Sequence, residues 1–252
     1  MMMKPMPWPV DPTSQDSKSP QMYSFRGARC VSRTLALVAV CFLGACAGQG
    51  TQALKLEGPS AGLDQDLDAF DFSEEGAWSL QVADSPDAAG PTHWLELSSD
   101  APKQRYNPPH RSPHRMALLK GPGVGDFRLE FDALSTGRAY DHRDLCVFFA
   151  WQDPACFHYL HLAPKPDPRA HNFFLVNYAA RRSLEPVFKK GLAWPDDTWV
   201  HLVVERRGNT VVVHADGVQV LSSDKVDLGG GRVGVGSFDD SGRFANMTLE
   251  EH

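Results

Sequence analysis

The chain predicts an all-β fold: a two-sheet antiparallel jelly-roll sandwich. Three observations carry that expectation. The apolar runs are short, they recur at intervals of about ten residues, and Gly, Pro or Asp stands between them. No stretch keeps a helical period over several turns. Strands are expected at Trp78–Val82, Trp94–Ser98, Met116–Leu119 and Phe127–Leu134. The last reads Phe-Arg-Leu-Glu-Phe-Asp, the alternation of a half-buried strand. Leu145–Trp151 and Phe157–Leu162 follow as a hairpin, then Asn172–Tyr178 and Val187–Lys189. Trp199–Arg206, Thr210–Ala215 and Val218–Ser222 are Val-rich runs joined by tight turns at Gly208-Asn209 and Asp216-Gly217. Arg232–Phe238 and Phe244–Glu250 close the domain.

Residues 1–45 are set aside from the fold as a leader. Arg26, Arg29 and Arg33 precede an apolar run, Thr34–Leu43, that is too short for a stop-transfer helix. Leu43-Gly44-Ala45-Cys46 then resembles the lipobox of bacterial lipoproteins, in which the cysteine is lipidated. An ordinary signal peptide or a transmembrane anchor is the alternative reading. Cys46 would tie the chain to a membrane through lipid alone, in a bacterial cell envelope. Ala47, with no Asp after the cysteine, suggests the outer membrane or a periplasm-facing position. Met22 is an alternative start that gives a signal of ordinary length.

Residues 46–65 read as a flexible tether and 66–252 as one jelly-roll domain. The leader holds a net +3 of a chain total of −6, so the mature chain carries −9. An acidic chain with no basic stripe argues against nucleic acid as a partner. Of five cysteines, only Cys146 and Cys156 lie beyond the leader and lipidation site.

The segment Asp144–His161, DLCVFFAWQDPACFHYLH, is the most informative in the domain. With a turn at Gln152–Ala155, Trp151 opposes Cys156, Phe148 opposes Tyr159, and Cys146 opposes His161. Leu145, Val147, Phe149, Leu160 and Leu162 then share one face, expected in the core between the sheets. Asp144, Cys146, Phe148, Phe157, Tyr159 and His161 share the other, with His142 just before. In this register the two cysteines do not face each other, and two buried thiols are expected rather than a disulfide. Polar and aromatic groups on one sheet face suit a saccharide.

Trp199-Val-His-Leu-Val-Val-Glu-Arg, Val212-Val-His-Ala-Asp-Gly, Gly234-Val-Gly-Ser-Phe-Asp-Asp and Phe244-Ala-Asn-Met-Thr-Leu resemble the closing strands of the concanavalin A-like lectin/glucanase superfamily, which includes laminin-G-like domains. With Phe148-Phe-Ala-Trp-Gln-Asp and Phe157-His-Tyr-Leu-His-Leu, the pattern is most similar to the 3-keto-disaccharide hydrolase family. The resemblance implies ligands on the concave sheet face. It departs from retaining glucanases of this fold. Glu130-Phe-Asp132 starts their Glu-x-Asp-x-x-Glu motif, but Ser135 replaces the second Glu. A mechanism needing two carboxylates about 5 Å apart is therefore rejected.

The candidate catalytic residues are His161, Tyr159, Asp144 and His142. The resemblance implies that a Tyr/His pair on one face could abstract and return a proton, as β-elimination lyases of this fold do. His142, Asp144 and His161 could hold a divalent cation, calcium or a transition metal. The plain alternatives are a satisfied structural histidine and a strand-entry Arg143–Asp144 pair. Substrate-binding candidates are Arg111 in a Pro-rich loop, Arg143, His171, Asn177, and Trp151 and Trp194 as stacking platforms. Core packing is the alternative for each Trp, and the favoured one for Trp199. Asp239-Asp240-Ser-Gly reads as a turn with Gly242 at positive φ, or less favourably as a calcium rim.

Three functional readings stay open: a glycan-binding lipoprotein, an enzyme acting on keto-sugar glycosides or uronates, and a non-catalytic adhesion module. An open groove favours the first, and convergence of His142, Asp144 and His161 the second. A face filled by side chains favours the third.

Overall fold

The structure is a computed structural model that describes residues 62–74, 76–84, 90–100 and 106–252. The leader and Cys46 lie outside the described residues. Fourteen strands are present among the described residues. In chain order they are β1 (Phe70–Phe72), β2 (Trp78–Val82), β3 (His93–Leu97), β4 (Arg115–Leu119), β5 (Phe127–Ser135), β6 (Leu145–Asp153) and β7 (Cys156–Leu162). Then come β8 (Asn172–Asn177), β9 (Arg182–Ser183), β10 (Val200–Arg207), β11 (Thr210–Ala215), β12 (Val218–Ser223), β13 (Arg232–Ser237) and β14 (Gly242–Glu251). They form two antiparallel sheets of seven, ordered β1-β4-β13-β6-β7-β8-β9 and β12-β11-β10-β5-β14-β3-β2. The jelly-roll expectation is met.

Alternation builds the core between the sheets. On β5, Phe127, Leu129, Phe131 and Ala133 are buried, while Arg128, Glu130 and Asp132 face out and pair with Glu205 and His201. Phe149 of β6 meets Phe127 of β5 across the two sheets at 6.2 Å. The other face of β6 and β7 holds a second apolar cluster of Cys146, Phe148, Phe157 and Tyr159, joined by Met116, Leu118, Phe174 and Val176. Tyr106, Trp151 and Phe238 pack over it. The outer face of the first sheet is thus partly covered, where an open surface was expected.

The hairpin register holds from Phe148↔Tyr159 to Cys146↔His161. Its tip differs. Ala150 takes φ +48 at a bulge, Asp153 pairs with Cys156, and the turn shrinks to Pro154-Ala155. The bulge turns Trp151 to Arg232 of β13 instead of Cys156. Cys146 is a buried thiol, so no Cys146–Cys156 disulfide forms.

Val187–Lys189 is not a strand, and two short edge strands, β1 and β9, carry no sequence signal of their own. Trp199 falls just before β10 rather than inside it. Gly242 is not at positive φ. It opens β14, where a Cβ would press on Leu145 Cδ2 at 2.6 Å. The last tether residues belong to the domain: Leu63–Gln65 form a 3-10 turn, and buried Asp64 accepts the Met247 N–H at 2.7 Å. Among the described residues, no helix is long and apolar enough to cross a membrane.

Gly236 of β13 lies between Cys146 of β6 and Met116 of β4. A Cβ there would overlap the Arg115 carbonyl and meet Phe148 Cε2 at 3.1 Å. Backbone cannot yield as a side-chain tip can. Gly236→Ala is expected to lower stability by about 1–3 kcal/mol or more, read as a shift in denaturant midpoint.

Candidate functional site

Asp144 enters β6 and His161 lies near the end of β7, across from Cys146. Short strands brought into register therefore put Asp144, Cys146 and His161 together, with ligand atoms within 4.8 Å of one another. All three are buried. Asp144 Oδ2 accepts the Cys146 thiol at 3.1 Å and the Phe238 N–H at 3.2 Å. The His161 Nε2 stands 3.7 Å away. Burial, then the charge of Asp240, pushes the Asp144 carboxyl well above the usual carboxylate range. Burial, then Asp144, raises the Cys146 thiol.

The turn between β13 and β14 locks onto this entry. Asp240 Oδ2 accepts the Asp144 N–H at 2.9 Å and the Tyr140 hydroxyl at 2.7 Å. Ser237 Oγ donates to the Asp144 carbonyl at 3.2 Å. Asp239-Asp240-Ser-Gly is therefore a structural turn. Asp240 is spent on these bonds, and exposed Asp239 lies 3.4 Å from His114.

His161 has a defined proton. Its Nδ1 accepts the backbone N–H of His171 at 3.2 Å, so in the neutral ring the proton sits on Nε2. Burial, then the neighbouring Arg181, His142 and His171, holds its pKa down at about 3. An imidazole in this state has no lone pair to offer a substrate proton. Ligating a metal through Nε2 would move the proton to Nδ1, against the His171 amide. Asp144 Oδ2, the oxygen facing His161, already accepts two donors. These residues do not fit a divalent cation: calcium needs six or more oxygens, and a transition metal needs a free imidazole nitrogen.

His142 does not join the cluster as a ligand. Its Nε2 lies 2.9 Å from Asp167 Oδ2. Cys146 occupies the third place expected for it. Tyr159 is fully buried, stacked on Phe174 at 5.1 Å, and burial raises its phenol. Its hydroxyl accepts Arg181 Nη1 at 2.6 Å. Tyr159 positions Arg181 and does not face the cavity. The Tyr/His proton-transfer pair is corrected on this geometry.

Above the cluster is a cavity of about 250 Å³. Its wall includes the expected Arg111, His142, Asp144 and His161, and it adds Tyr140, Arg169, Arg181 and Phe238. A second hollow of about 540 Å³, lined by Tyr106 and the Pro-rich loop, shares Arg111 and Phe238 with it. Other candidates fall elsewhere. Arg143 is buried, donating to the carbonyls of Gly137 and Trp194 and to Asp196. Trp194 is core, its Nε1 donating to Leu162 O at 3.2 Å. Trp151 packs on the apolar cluster, with Arg232 over its ring at 5.4 Å. His171 is buried at φ +49 and accepts the Ala163 N–H through Nδ1. Asn177 pairs with Cys156, five residues along β8 from the partner of His161. Trp199 is half-buried against Trp94 and lines a separate hollow on the second sheet.

No protein-family model and no curated protein matches the chain. Among solved structures, the carbohydrate-binding module CBM66 from Bacillus subtilis is similar at 17% identity and TM-score 0.50, over 73% of this chain and 96% of that one. The protein has the jelly-roll fold of that module. Domain 4 of AbnA, an extracellular GH43 arabinanase from Geobacillus stearothermophilus solved with arabinotriose, is similar at 11% identity and TM-score 0.41, over 69% and 75%. The Emp47p carbohydrate recognition domain is similar at 16% identity and TM-score 0.42, over 70% and 89%.

Arg181 and Tyr140 were missed in the sequence. Tyr140 is an exposed aromatic in a polar loop, which is a usable signal. Arg181 stands in Ala-Ala-Arg-Arg just past β8, and only a basic pair marks it.

Proposed function

We propose that this domain binds an oligosaccharide in the cavity over His161 and does not transform it. The observation that carries the reading is the cavity wall, where two aromatic rings, Tyr140 and Phe238, stand among fixed hydrogen-bond donors. Tyr140 is 41% exposed, yet its hydroxyl is pinned by Asp240. A pinned, solvent-facing ring can take the C–H face of a sugar at little entropic cost. His161 lines the same wall, and with its proton on Nε2 it is a neutral donor suited to a hydroxyl. Likeness to a carbohydrate-binding module supports the same reading.

Hydrolysis or elimination of a keto-sugar or uronate glycoside would need a base here. His161 is occupied and its pKa is about 3, while Asp144 is held toward its acid form. An adhesion module would present a filled face, and this face keeps an open hollow. The leader pattern through Cys46 supports lipid anchoring in the cell envelope, with the domain displayed on the tether.

The test is a glycan-array screen of the full chain in detergent. A neutral or acidic oligosaccharide is expected to bind, and Tyr140→Ala to weaken it about tenfold or more while lowering the thermal midpoint by no more than the loss of one hydrogen bond to Asp240. Unchanged binding by that variant would remove the site from this cavity.

A further inference from the structure

The cavity wall runs against the composition of the chain. The protein is acidic overall, at −6, yet Arg111, Arg169 and Arg181 converge on one small hollow. Among the described residues, no carboxylate lies within salt-bridge distance of any of these three guanidinium groups. The nearby acids are spent elsewhere: Asp167 on His142, Asp240 on Tyr140 and the Asp144 amide. Asp144 is buried and raised toward neutrality, so it does not cancel them. Among the described residues only Asp239 brings an exposed carboxylate to the rim, and it faces His114.

Arg181 is the most organised of the three. Its guanidinium lies between the rings of Phe174 and Phe238, at 4.9 and 4.6 Å. One nitrogen donates to Tyr159 Oη at 2.6 Å and another to the Arg169 carbonyl at 3.2 Å. Arginine has five N–H donors, so this arrangement fixes the plane and leaves donors unspent. A stacked cation without a counter-charge is a poor choice for stability alone. It is a suitable choice for receiving an anion in a planar, two-pronged contact.

We propose that the cavity selects an acidic saccharide, with a sugar-borne carboxylate or sulfate seated on Arg181 and flanked by Arg111 and Arg169. The inference rests on the glycan-binding reading above and names the class of glycan. The carboxylate and the sulfate share the chemistry of an anionic oxygen group.

The experiment is calorimetric titration of the full-length protein in detergent with four probes. These are an oligogalacturonate, its carboxyl-reduced form, a sulfated galactan oligosaccharide and its desulfated form. At least one acidic probe is expected to bind about tenfold or more tighter than its neutral partner, and added salt to weaken it. The pair that shows the preference identifies the anion. Arg111→Gln, at an exposed position, and Arg181→Lys, which keeps the charge but loses the planar fork, are both expected to collapse that ratio. If neutral and acidic probes bind equally and Tyr140→Ala abolishes both, the glycan reading stands and the acidic preference is wrong. If none of the four binds and the array is also blank, both are overturned. An acidic preference untouched by either arginine variant would place the anion off this wall and contradict the proposal.

Discussion

Acidification from pH 7 to about pH 4.5 is expected to remove several kcal/mol of folding stability. Three buried imidazoles cause it. His158 accepts the Leu228 N–H, His161 the His171 N–H, and His171 the Ala163 N–H. Only a neutral ring can accept an amide proton at that nitrogen. Burial holds their pKa values at about 4, about 3 and about 4. Asp227 stands 3.3 Å from the same His158 nitrogen and pulls the other way, but it is more than half exposed and screened.

The sign follows from proton counting. In the unfolded chain these histidines titrate near 6.5. Between about 6.5 and about 4 the unfolded state binds more protons, so stability falls as pH falls, by at most ~1.4 kcal/mol per unit for each ring. Asp144 opposes this. Its raised pKa means the folded state keeps a proton that the unfolded chain releases, so acidification returns stability there. Three rings against one acid leave a net slope of roughly 3 kcal/mol per pH unit at its steepest. The loss levels off below about pH 3, where all three rings become charged in the fold. Denaturant midpoints taken from pH 7 to pH 4.5 check this. A flat profile would mean that the rings are already protonated in the fold or that they are solvated.

Phe148→Ala is expected to cost about 3–5 kcal/mol. Phe148 is fully buried on the outer face of the first sheet, within 6.1 Å of Phe157 and 6.3 Å of Tyr159. Gly234 and Gly236 pass on its β13 side, with no side chain able to move into the gap. The site collapses poorly, so the cavity term is retained on top of the lost transfer energy. The consequence reaches the ligand wall. Tyr159 rests on Phe148, and Arg181 is hydrogen-bonded to Tyr159. Urea melts are expected to show the lower midpoint with an unchanged slope, and glycan affinity is expected to fall in the part of the population that stays folded. A cost under about 1 kcal/mol would mean that the loop from Tyr106 repacks over the gap.

Much of this fold was legible because it rests on local alternation. On β5, Phe127, Leu129 and Phe131 fall inward by period alone. The Cys146↔His161 pairing followed from one turn placement, although a bulge at Ala150 changed the tip. A bulge depends on the neighbouring strand, here β13 with its close-packed glycines, and not on residues within the hairpin. The site was less legible. Sharing a face with Asp144 does not show whether a side chain is open to solvent. Tyr159 shares that face but is roofed by Phe238, which comes 79 positions later in the sequence. His161 is set by the backbone of His171, and Tyr140 by Asp240, a hundred residues away. Arg181 acquires its role only when Phe174 and Phe238 close on it. Each of these depends on tertiary contacts that no short motif encodes.

The most direct test is to incubate the full-length protein with an oligosaccharide retained on the array and to follow that glycan by mass spectrometry. Binding without chemistry predicts an intact glycan that co-purifies with the protein and is lost on Tyr140→Ala. Shortened or unsaturated products that disappear on His161→Ala, with the fold unchanged, would contradict it.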